Sequence, residues 1–112
     1  MAAGRAALDR WRTGGDVDRT TRATAVRYTL EELAARAPGH TLEVRVPPFG
    51  VTQCLEGPRH TRGTPPNVVE TDAETWLALV TGQVSWTDGR SDGRVRASGE
   101  RADLAAWLPL LT

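Results

Sequence analysis

The stretch Asn67–Gly82, NVVETDAETWLALVTG, decides the fold, because the hydrophobic period changes inside it. Asn67 to Thr71 is short and β-branched, and Pro65-Pro66 immediately upstream removes ladder donors, so a strand begins here and cannot extend backward. Beyond Thr71 the spacing turns helical. Ala73, Trp76, Leu77 and Val80 fall at i, i+3, i+4 and i+7 and make one apolar stripe. Thr71 and Glu74 have the Ser/Thr-x-x-Glu spacing of a capping box, in which the Thr71 hydroxyl accepts from the Glu74 N–H and the Glu74 carboxylate reaches back to the Thr71 N–H. Gly82 stands where a left-handed residue ends a helix. The expected unit is a strand, a sharp turn, a short buried helix and a stop.

Upstream, Ala3, Ala7, Leu8 and Trp11 give a sticky edge to a short helix over Ala2 to Arg12, ended by Thr13-Gly14-Gly15-Asp16. A helix of this length is marginal alone, so Trp11 docks either onto its own domain or onto a second copy. Residues 1–18 therefore read as an N-terminal helix and linker, and 19–112 as the domain proper. A longer helix from Arg19 to Ala37 carries the stripe Ala23, Val26, Leu30, Leu33, Ala34 and Ala37, with Glu32 and Arg36 paired at i, i+4, and Pro38-Gly39 stops it. Leu42, Val44 and Val46 then alternate with Glu43 and Arg45 as a half-buried strand. Pro47-Pro48-Phe49-Gly50 turns the chain into a second strand, Val51 to Glu56, whose inward face the pattern leaves open. Gly57 to Pro66 has no large apolar side chain and reads as a surface loop carrying Arg59, His60 and Arg62.

Downstream, Gln83 to Gly93 supports two readings. Val84 and Trp86 alternate ahead of Asp88-Gly89, which suits a strand and tight turn, while an irregular helical turn burying Trp86 is the preferred alternative. Arg94 to Ser98 is a strand with Val95 and Ala97 inward. Leu104, Trp107, Leu108 and Leu111 suggest a closing helix that Pro109 cuts short.

The Thr-Asp-x-x-x-Trp-Leu-x-Leu-x-Thr-Gly pattern at Thr71 to Gly82, followed by Gly93-Arg94-Val95-Arg96-Ala97-Ser98-Gly99 and a last apolar segment, resembles the carboxyl half of sterol carrier protein domains. The longer run from Val26 to Asp72 resembles a small actinobacterial branch of that superfamily, the bacterial sterol carrier orthologues. The resemblance implies an α+β fold, an antiparallel sheet of about four to five strands with helices packed on one face. It also implies a short helix between the two motifs, in conflict with the strand-and-turn reading of Val84 to Gly89. For function it implies a carrier of apolar molecules.

Composition narrows the classes of function. The 112 residues fit one domain able to bury somewhat above ~60% of its unfolded surface. Fourteen basic residues, all Arg, balance fourteen acidic ones, so the global field of a nucleic-acid binder is absent. A neutral domain with one basic loop releases few counterions. The single Cys54 allows no internal disulfide, and MAAGRAALDRWR has no apolar run fit for a signal peptide, so a cytoplasmic protein is expected. No stretch approaches ~18 consecutive apolar residues, the length a membrane span requires.

Catalysis has little to work with. Neither His40 nor His60 lies at ligand spacing from another His, Cys or paired acid, so no metal, no cofactor and no enzymatic activity is expected. Cys54, between Gln53 and Leu55 in a strand, reads as a small core residue. Sterol carrier-like domains also occur as the tail of thiol-dependent maleylpyruvate isomerases, but the helical bundle that holds the metal in those enzymes has no counterpart here. Arg59, His60 and Arg62 beside two glycines suit a clamp for an acidic head group, or alternatively pair with Glu43, Glu56 or Glu70 to stiffen the loop. The expected ligand groove lies between sheet and helix, with Trp76, Val80 and Trp86 as core or lining and Phe49 at the entrance. Two functions follow: a non-enzymatic carrier of a lipid or fatty acid, or an interaction module, dimeric through the Trp11 helix, for a separately encoded enzyme.

Overall fold

Apolar side chains alternate along three strands and point to one side, and every helix packs on that side. The computed structural model describes residues 2–14, 16–57 and 66–111. They form α1 (Ala2–Arg12), α2 (Arg19–Arg36), β1 (Leu42–Val46), β2 (Gly50–Cys54), β3 (Asn67–Thr71), α3 (Ala73–Thr81), α4 (Trp86–Ser91) and β4 (Val95–Ser98). The sheet runs β2-β1-β3-β4. On its inner face Leu42, Val44, Val46, Cys54, Val69 and Val95 are buried, which settles β2 in favour of the Cys54 face. Val51 and Gln53 point the other way.

The α+β fold with a mostly antiparallel sheet matches the sequence, with one refinement. β1 pairs antiparallel with β2 and β3 with β4, but β1 and β3 are parallel, Val44 opposite Val69. β2 takes one flank of β1 and β3 the other, so after the hairpin the chain re-enters on the far side running with β1. The loop expected from Gly57 to Pro66 lies, from 58 to 65, outside the described residues.

The helix of the deciding stretch starts one residue later than the capping box implies. Asp72 is the N-cap of α3: its carboxylate accepts from the Thr75 N–H at 2.8 Å and from the Thr75 hydroxyl at 3.0 Å. Thr71 is still in β3, and its hydroxyl donates to the Arg94 carbonyl instead. Gly82 closes the helix at φ +84, as expected. Trp76 is fully buried between α2 and α3, and its Nε1 donates to the Thr29 hydroxyl at 2.8 Å, so the largest core side chain leaves no polar group unsatisfied.

α2 buries more than its expected stripe. Ala25, Tyr28 and Thr29 are buried as well, because α1 covers a second side of it. Leu8 enters the core, and Gly4 lies so close to Tyr28 that a Cβ there would sit 2.5 Å from the Tyr28 Cβ. The first helix thus docks onto its own domain. Between α3 and β4 the helical reading prevails: Ser85 caps α4 by accepting from the Asp88 N–H, Trp86 is buried, and Gly89 lets the helix approach Val95. The closing helix does not form. Trp107 N–H reaches back to the Leu104 carbonyl in a turn, Pro109 supplies no N–H, and Leu110 and Leu111 both donate to the Val80 carbonyl at the end of α3.

Candidate functional site

The outward positions of the four strands fall into rows fixed by register. Arg96, Glu70, Arg45 and Val51 stand side by side across the sheet, and Ser98, Val68, Glu43 and Gln53 make the next row. Among the described residues no helix covers this face. Arg96 donates to Glu70 at 2.9 Å across strands, and Arg45 turns to Glu43 two residues away on β1. Exposed pairs of this kind contribute little stability and exchange partners readily.

At the Pro47-Pro48 end the face is dented. One depression of about 430 Å³ is lined by Glu43, Arg45, Pro47, Pro48, Gly50, Val51 and Glu70. A second, of about 320 Å³, is lined by Pro47, Glu70, Thr71, Asp72, Gly93, Arg94 and Arg96. Pro47 and Glu70 belong to both, so the two adjoin. The first has an apolar floor of prolines and Val51, which is 58% exposed. The second is edged by Arg94 and Arg96. Asp92 accepts from the Arg94 side chain and from the Arg94 backbone N–H, which together hold its carboxyl below the ordinary range.

The expected site residues are distributed otherwise. Trp76 and Val80 are fully buried and Trp86 nearly so, all three within the core cluster. Phe49 sits at the hairpin tip, half-buried, with the Arg19 guanidinium 5.2 Å from its ring centre and Arg27 donating to its carbonyl. Arg59, His60 and Arg62 lie outside the described residues. Glu70 pairs with Arg96 and Glu43 with Arg45. His40 shares a hydrogen bond with Gln53 at 2.7 Å. Cys54 is buried among apolar neighbours, which pushes its thiol up to about 11. Among the described residues no group of three or more His, Cys, Asp or Glu gathers as a metal site would require. Nor is any described helix long and apolar enough to cross a membrane.

Sequence reasoning missed Arg45, Pro47, Val51, Arg94 and Arg96 as a group. The outward placement of Arg45, Arg94 and Arg96 was visible in the alternation of their strands, whereas the pattern left Val51 open, and the adjacency of the group depends on the parallel β1/β3 register, which no local pattern encodes.

The family model described as bacterial SCP ortholog matches residues 18–110. No curated protein matches the chain.

Proposed function

The chain belongs to the bacterial SCP ortholog family, and from that premise we propose that it is a non-enzymatic carrier or binding domain for an amphiphilic small molecule such as a fatty acid. The observation that carries this reading is the pair of adjoining depressions on the open sheet face. Their volumes fall within the ~300–1,000 Å³ of small-molecule sites. An apolar tail would lie over Pro47, Pro48 and Val51. An acidic head would reach Arg94 or Arg96 by taking the place of an Asp or Glu already paired there, an exchange of one carboxylate for another. Because the depressions are open, a ligand exchanges without any part of the fold having to move aside, which suits a carrier better than a store.

Fluorescence titration of lipid-stripped protein with a fatty acid analogue tests this. Saturable binding is expected, reduced by Val51→Asp, which places charge on the apolar floor. Arg94→Gln with Arg96→Gln is expected to weaken the acid more than the matching alcohol, since only the acid loses charge-assisted contacts of ~1.5–3 kcal/mol. Absence of saturable binding by the unaltered protein would sink the carrier reading. The second reading, an accessory module for a separately encoded enzyme, is favoured by the flat mixed-charge rows of the same face. It is the one left standing if Val51→Asp breaks a protein contact while no fatty acid binds at all.

A further inference from the structure

Residues 105–109, Ala-Ala-Trp-Leu-Pro, are five apolar residues in succession, and four of them are exposed while Leu108 is half-buried. Trp107, at 36% exposure, is with Val51 one of two large apolar side chains the described residues leave open. Such a run on a folded surface is unfavourable unless something covers it. The turn is also held firmly from below. Asp103 accepts from the Ala105 N–H, Trp107 N–H reaches the Leu104 carbonyl, Leu104 is fully buried, and Leu110 and Leu111 are tied to Val80. The neighbouring charges are engaged at its base: the Arg36 guanidinium donates to the Leu110 carbonyl at 2.6 Å, and the Asp103 carboxylate is turned onto backbone.

The indole N–H groups separate this tryptophan from two others. Trp11 donates to Glu74 and Trp76 to Thr29. Trp107 Nε1 has no acceptor among the described residues. It therefore presents an apolar ring whose one polar atom is left for an outside partner.

The geometry points to the 105–109 turn as a shallow anchor that seats the domain on a lipid bilayer surface. The patch is a turn of five residues, whereas a stable protein interface needs roughly 20–30 residues a side. A rigid turn with one Trp matches the membrane interface instead, where the ring lies among acyl chains and the N–H meets carbonyl oxygens or water. Attachment through so few residues is weak and reversible. This inference rests on the carrier reading for its purpose, since a carrier must meet the bilayer that supplies or receives its ligand, but its test does not.

The test is co-sedimentation of the full chain with phosphatidylcholine vesicles, with and without anionic lipid. Binding at millimolar lipid is expected, differing little between the two compositions because the anchor is uncharged. Trp107→Ala is expected to weaken it by on the order of tenfold, the loss of one large apolar side chain, while Trp107→Phe keeps part of it. Circular dichroism of both variants, with melting temperature, checks that the fold is intact. If Trp107→Ala lowers the melting temperature, the difference in brominated-lipid quenching between the unaltered chain and Trp107→Phe, which removes this indole and leaves Trp11, Trp76 and Trp86, decides the matter. No vesicle binding, or equal binding by the folded Trp107→Ala chain, overturns the anchor, as does a patch that proves to join two copies in sedimentation. Fatty-acid binding in solution, measured on the same Trp107→Ala chain, stays unchanged if the carrier reading is right. The two ideas therefore fail separately.

Discussion

Trp76 shows what one residue does for this core. Its ring fills the space between α2 and α3, and its N–H ends on Thr29, whose own hydroxyl donates to the Ala25 and Val26 carbonyls. Trp76→Ala is expected to destabilise by ~3–5 kcal/mol in chemical denaturation, and Trp76→Phe by much less, because the second keeps most of the volume. A loss well under 1 kcal/mol for Ala would mean the cavity collapses without consequence. Cys54 supplies a pH dependence of definite sign. Burial raises its thiol from about 9 to about 11, so the unfolded chain gives up this proton first. Its contribution to stability is fully present below pH 9 and declines as pH rises toward 11, by about 2–3 kcal/mol in all. Urea denaturation at pH 8 and pH 10.5 should show a larger decline for the natural chain than for Cys54→Ala, and parallel curves would refute it. Both placements were legible in sequence, since an apolar helical stripe and a Cys within a strand point inward. The Asp72 cap was not. Thr71, Asp72 and Glu74 all satisfy capping chemistry, and only the end of β3 decides among them.

At the scale of elements, α1 was the open question, and its answer lies on α2. Ala7 and Leu8 are buried, and Gly4 meets Tyr28 without a side chain between them. A Cβ at position 4 would improve intrinsic helix propensity by ~1 kcal/mol, yet it would collide with the Tyr28 ring. Gly4→Ala is expected to loosen α1 from α2 while the sheet stays intact. Hydrogen exchange should then quicken over 2–12 and stay unchanged in β1 and β3; uniform protection would show that Tyr28 simply moves aside. The docking also employs Glu74, the residue left over from the expected capping box. Its carboxylate accepts from Trp11 Nε1 at 2.7 Å and Arg22 Nε at 2.8 Å, clasping α1 and α2 to α3. Sequence spacing assigned Glu74 a local duty because it sees only neighbours; its partners are 63 and 52 residues away. The last segment failed as a helix for a similar reason. Its leucines are spaced for a stripe, but Leu104, Leu110 and Leu111 reach the core from an irregular path.

For the whole molecule, strand positions and layer order were readable because a period of two and a period of 3.6 are local signals. Strand direction was not. The parallel β1/β3 pair follows from where the chain re-enters the sheet, and that pair assembles the open face. A different consequence attaches to the Val80 carbonyl, the acceptor for both Leu110 and Leu111. During synthesis α3 is complete roughly thirty residues before those partners exist, and at ~5–20 residues per second that interval lasts a few seconds. Until those residues join, the Val80 carbonyl has no partner from the chain, and the surface later covered by Leu104, Leu110 and Leu111 stays uncovered. The final stitch is thus a timing constraint: the nearly finished core is sealed only when residues 104–111 join it.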